Sequence, residues 1–198
     1  MKNPQIAKNN LGMYIPETEH DSCGVGFIVD LNGKPTHKTV FDAIIMLENM
    51  EHRGATGSDP ETGDGAGILI QIPDRFLRAE CEYRDIELPP LGDYGTGLVF
   101  LPKLSEDRHT IEKMFEHAAN QFGQKFLGWR DVPTNNSEIG EVAKSVEPVM
   151  KQVLIARGKN TLPEDFEKAL FFIRKKIWLR VDKTELPQKN FFYVCSLS

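Results

Sequence analysis

The feature that most constrains the fold is a repeated change of period along the chain. Short continuous apolar runs give way to 3.6-residue apolar spacing and return, from Gly24 to Leu197. Residues 24–30 (GVGFIVD) form the first run, closed by the turn Leu31-Asn32-Gly33-Lys34-Pro35. From Thr36, the apolar residues Val40, Ile44 and Leu47, with Phe41, Ile45 and Met50 beside them, mark one helix face up to Gly54. Residues 68–72 read as a second strand, and Pro73-Asp74 opens a helix through about Arg84. Residues 97–101 read as a third strand, and Ser105 as the N-cap of a helix carrying Ile111, Phe115, Ala118 and Phe122. Strands follow at 126–132 and 149–156, flanking a polar turn region at 133–140. A helix opened by Pro163 presents Phe166, Leu170, Ile173 and Ile177, and residues 191–197 are a last strand. Alternation of this kind specifies a layered α/β or α+β domain. The final apolar strand carries no turn or polar tail, which marks the sequence as the front part of a longer protein.

With 198 residues, 40% hydrophobic and 27% charged, the chain can bury one sizeable core. Its net charge of −5 and lack of an evident basic stripe argue against nucleic acid as a partner. No apolar run reaches the ~20 residues of a membrane span. Residues 1–22 contain no apolar signal core and are not the Arg-rich amphipathic stretch of a transit peptide. Cys23, Cys81 and Cys195 are far apart and form no disulfide framework, as in a reducing cytoplasmic setting. Cys81 and Cys195 are expected to be packing residues.

Cys23 differs from them. It stands where the polar leader meets the first apolar run, followed by Gly24 and Gly26, which allow close approach. A free cysteine opening a strand is ordinarily a packing residue. Were the bond before it cut, however, one residue would hold a thiol nucleophile and an α-amine base of pKa near ~8. Two further blocks follow in order, His52-Arg53-Gly54 at the end of the first helix and Asp64-Gly65-Ala66-Gly67 before the second strand. The second lacks the lysine of a phosphate loop and the full dinucleotide fingerprint, so it reads as a tight turn. Asp59, Glu61 and Asp64 lack calcium-loop spacing, and no metal site is expected.

Taken together, HDSCGVGF (20–27), LENMEHRGATGSDPETGDGAGIL (47–69), GWRDVP (128–133) and FFYVCSLS (191–198) resemble the class II glutamine amidotransferases, which are N-terminal-nucleophile hydrolases. The resemblance implies an α+β fold, the four-layer αββα sandwich, incomplete at the C-terminus. It implies that residues 1–22 are a removable leader and residues 23–198 the N-terminal part of the amidotransferase domain. Cys23 would attack the side-chain amide of L-glutamine, forming a γ-glutamyl thioester and releasing ammonia. Arg53 would position the nucleophile, with Gly24, Gly54, Asp64 and Gly65 forming turns near the site. Outside the resemblance, Arg53 reads as a cation at a helix C-terminus.

The wording is similar to one branch of that family, in which ammonia serves the reductive amination of 2-oxoglutarate. In that branch flavin mononucleotide and a [3Fe–4S] cluster belong to later domains, and electrons come from a donor subunit or ferredoxin. No cofactor is expected in residues 1–198, and the oxyanion and glutamine-binding residues would lie beyond Ser198, leaving this segment alone inactive. The setting implied is cytoplasmic, or a plastid if the source is a plant. Two other readings are another class II amidotransferase and a non-catalytic binding domain that keeps Cys23 internal. His109, His117 and Trp129 read as surface, surface and strand-edge residues, and Phe191 and Tyr193 as core.

Overall fold

The computed structural model describes residues 24–50, 61–63 and 65–198. The chain divides into two compact units, residues 1–58 with 63–68 and residues 59–62 with 69–198. Cys23, His52, Arg53, Gly54 and Asp64, along with the leader 1–22, lie outside the described residues.

In the first unit the segment 24–30 leads through a turn after Asp30 into helix α1, His37–Asn49. The Asp30 carboxylate accepts from the amides of Asn32 (2.8 Å) and Lys34 (3.1 Å), and Gly33 takes φ 67°. Thr36 caps α1 by accepting from the Thr39 amide. Among the described residues the strand expected at 24–30 shows no ladder, and Val25 and Phe27 are about nine-tenths exposed. The expected strand at 68–72 likewise shows no regular pairing among the described residues. Apolar β-branched residues favour an extended backbone, but a strand also needs a neighbour to take its backbone hydrogen bonds.

In the second unit helix α2 (Asp74–Glu82) precedes β1 (Tyr94–Leu101), α3 (Ser105–Gln121) and β2 (Lys125–Asp131). There follow α4 (Glu141–Val146), β3 (Val149–Ala156), α5 (Pro163–Asp182) and β4 (Tyr193–Val194). The sheet is antiparallel in the order β2-β3-β1-β4, so the α+β class expected from the sequence is what the chain adopts. Strand β3 lies inside it and is buried on both faces. Val153 and Ile155 enter a core with Ile111 and Phe115 of α3 and Phe166, Leu170, Ile173 and Ile177 of α5. Leu154, pointing the other way, joins Leu77, Cys81, Leu88 and Tyr94.

Strand β2 needs one irregularity to share this arrangement. Phe126 and Trp129 are three residues apart and would face opposite ways in a regular strand. A bulge between Phe126 and Gly128 adds a residue, so both rings pack on the α3–α5 side. Gly128 has φ 148°, and a Cβ there would stand 2.9 Å from Ile86. Trp129, expected at the edge of a strand, lies within β2, the edge strand of the sheet, and meets Phe115 edge-on at 5.0 Å.

The last strand is much shorter than residues 191–197. A 3-10 turn occupies Lys189–Phe191, and only Tyr193 and Val194 pair with β1. Beyond them the backbone crosses the face of β1 at Gly97 and Gly95, where any Cβ would collide with the Ser196 and Leu197 carbonyls. Leu197 thereby enters the core. The phase also differs from expectation: Phe192 and Val194 are buried, while Tyr193 is exposed and Phe191 half-buried. Cys195, expected to pack, is exposed. Helix α3 is capped at Leu104 rather than Ser105. There Gln188 accepts from the Leu104 amide and donates its own amide to Asp107, each at 2.9 Å, a long-range capping pair.

Phe115 touches both Trp129 and Phe192 and is fully buried. Phe115→Ala is expected to cost about 3–5 kcal/mol of stability, measured by urea unfolding.

Candidate active site

The candidate site belongs to the first unit, and of the residues assigned to it Gly24 and Gly65 are described. Gly24 starts the segment 24–30 and is exposed. Gly65 has φ 93° with open space around its Cβ position, so glycine is required there by backbone conformation and not by crowding. At Gly26, in contrast, a Cβ would lie 2.3 Å from the Met46 sulfur. The segment that follows Cys23 in sequence thus rests directly on the last turns of α1, the helix that precedes Arg53.

The second unit contains a polar arrangement that periodicity does not reveal. Asp74, at the first turn of α2, accepts from Arg78 Nε and Nη2 and from the Tyr94 hydroxyl, all at 2.9 Å. Arg78 also donates to the Leu88 carbonyl (2.8 Å) and the Pro89 carbonyl (2.5 Å), fastening the loop before β1 onto α2. The Arg78 hydrogen bonds hold the Asp74 carboxyl below its usual value. Burial, reinforced by Asp74, pushes the Tyr94 phenol far above its ordinary range. On the same helix Glu80 accepts from Arg130 Nε at 2.8 Å, and the Arg130 guanidinium lies 5.1 Å from the Phe76 ring centre. The block Gly128-Trp129-Arg130 therefore sends its tryptophan to one side of the sheet and its arginine to the other.

This arrangement is a clamp, with its carboxylates paired to cations and no nucleophile free to react. Cys81 beside it is fully buried, and burial pushes its thiol up. A surface groove of about 550 Å³ lined by Arg78, Glu82, Asp85, Ile86, Glu87 and Leu88 contains none of the candidate site residues. Among the described residues no cluster of His, Cys, Asp or Glu suits a metal ion, and no helix is long and apolar enough to cross a membrane. His109 and His117 are exposed on α3. Sequence reading missed Asp74, Arg78 and Arg130. The i, i+4 spacing of Asp74 and Arg78 was a usable signal; the Tyr94 and Glu80–Arg130 pairings, 20 and 50 residues apart, had none.

Residues 23–198 match the family described as glutamine amidotransferases class-II. The chain belongs to that family of N-terminal-nucleophile hydrolases. It is 43% identical, over 94% of its length, to the glutamate synthase [NADPH] large chain of Bacillus subtilis. It is 38% identical over 98% to the glutamate synthase [NADH] of Saccharomyces cerevisiae, and 34% identical over its full length to ferredoxin-dependent glutamate synthase 2 of Synechocystis. The chain spans 12%, 9% and 12% of these three relatives' own lengths.

The Asp74 clamp predicts a pH dependence of stability. Because its folded carboxyl titrates below its unfolded value, near ~3.9, the stabilisation is full above that value and is lost as pH falls through the folded value. The stability difference between the wild type and Asp74→Asn should be constant above about pH 5 and shrink below about pH 4, measured by denaturation at a series of pH values. Tyr94→Phe, which deletes one hydrogen bond to a charged carboxylate, should cost about 1.5–3 kcal/mol.

Proposed function

We propose that this chain is the glutamine-hydrolysing portion of a glutamate synthase. The observation that carries the reading is the family match, which begins at Cys23 and runs through residue 198. Removal of residues 1–22 frees the Cys23 α-amine, which takes the thiol proton as the thiolate attacks the δ-carbon of glutamine. Ammonia leaves with that proton, and water then cleaves the γ-glutamyl thioester to glutamate. The close seat of Gly26 on Met46 supports the reading, since it sets the chain three residues past Cys23 against a helix.

Arg53 positions Cys23 and, as a fixed cation, favours thiolate over thiol. Gly54, Asp64 and Gly65 shape the turns around it, and the φ of 93° at Gly65 agrees with that role. The ammonia serves reductive amination of 2-oxoglutarate in later domains, where flavin mononucleotide and a [3Fe–4S] cluster reside. Electrons reach them from a donor subunit or from ferredoxin, in the cytoplasm or a plastid. The names of the relatives, which include NADPH, NADH and ferredoxin-dependent forms, support this assignment. The oxyanion donors belong to the sequence beyond Ser198, and each such donor contributes on the order of 10²–10³ in rate. Residues 1–198 alone should therefore show little glutaminase activity.

In the full-length protein Cys23→Ala should abolish glutamine hydrolysis while ammonia-dependent glutamate formation survives; retained hydrolysis would overturn the assignment. Arg53→Gln should lower kcat/KM and move its acidic limb up by about one pH unit, because a nearby cation no longer favours the thiolate.

A further inference from the structure

The composition of the chain hides a local reversal of charge. Between Lys168 and Lys183 there are six cations and one anion, Asp182, in a chain whose net charge is −5. This stretch is the C-terminal three-quarters of α5 with its C-cap Lys183, and it corrects the expectation that no basic stripe is present. One side of the helix is spent on the core through Leu170, Ile173, Ile177 and Val181. The other carries Phe171, Trp178 and Leu179, each about half exposed at 48%, 51% and 47%. Residues 171, 175, 178 and 179 follow i, i+4, i+7 and i+8 spacing and so share one outward face. The Lys175 ammonium and the Arg174 guanidinium both lie 5.8 Å from the Phe171 ring centre. At the edge of the face Phe172 stacks on Phe122, the C-cap residue of α3, at 6.0 Å, tying it to the end of the neighbouring helix.

Large apolar side chains scattered singly need no partner, but an aromatic group of this kind ringed by cations has the anatomy of an interface. Tryptophan and arginine dominate such contacts, with the charged residues at the rim. We propose that this outer face of α5 is a docking surface for a later part of the same polypeptide, one with an apolar centre and an acidic rim. Two observations select that occupant. The cationic rim demands an anionic complement, and the chain spans only 9–12% of the length of the relatives it matches, so in a protein built as they are most of the polypeptide lies outside residues 1–198. The inference rests on the longer-protein reading and not on the chemistry of Cys23.

The test is hydroxyl-radical footprinting of the full-length protein, reading Phe171 and Trp178 against the same protein carrying Lys175→Glu and Leu179→Gln. Both altered side chains are exposed, so the core is untouched. The wild type should be protected, independently of protein concentration and without added lipid or nucleic acid. The double variant should label several-fold faster at both positions, and high salt should produce part of that increase in the wild type. Equal labelling in the two proteins overturns the proposal. So does protection that appears only at high protein concentration, which points to a second copy. Protection that appears only with anionic vesicles or RNA likewise overturns it. Repeating the measurement in a Cys23→Ala background separates the two hypotheses, since loss of the nucleophile should leave the footprint unchanged.

Discussion

Everything in the second unit depends on the double burial of β3. A strand that pairs on both edges, with β1 and β2, and is covered on both faces has no solvent side. Its residues 153–156 must accordingly be apolar without alternation, and they are Val-Leu-Ile-Ala, all buried. One face commits α3 and α5 to one another through Phe115, Leu170 and Ile173; the other commits α2 through Leu77 and Cys81. The polar ties then follow the frame this sets. Arg157 at the end of β3 grips Asp93 at the start of β1 with Nε at 2.9 Å and Nη2 at 2.7 Å, fixing the register where the ladder begins.

Much of this was legible in the sequence because helices declare themselves by period. Helix α5 begins at Pro163 and buries the four residues that spacing selects, and β3 occupies 149–156 as expected. Strands proved legible only where the fold gives them neighbours. Residues 24–30 and 68–72 have the right composition, yet they carry no ladder in the described chain. Residues 191–197 fail for a different reason: the two glycines of β1 open a seat on the face of the sheet, and the chain leaves the edge to occupy it. The phase shift at the β2 bulge, the six-residue α4 and the long-range capping pair of Gln188 and Asp107 are likewise decisions of tertiary packing. No local window contains them.

The candidate site was legible in another manner, through ordered blocks of identity rather than period. Gly65 and Gly26 show what those blocks encode physically. One glycine supplies a left-handed turn, and the other lets a chain lie against a methionine sulfur. Neither glycine is chemically active, but each constrains the backbone beside residues proposed to be so. The clamp around Asp74 and Arg78, more conspicuous in the structure, has no reactive group and serves to hold a loop.

The central claim is that Cys23 acts through its own α-amine. It is tested most directly by the intact mass of the full-length protein, with N-terminal sequencing of the same sample. The account predicts a chain that begins at Cys23 and lacks residues 1–22. A fully active protein that retains Met1 to Ser22 would contradict it, because an amide nitrogen in the peptide bond to Ser22 cannot serve as the base.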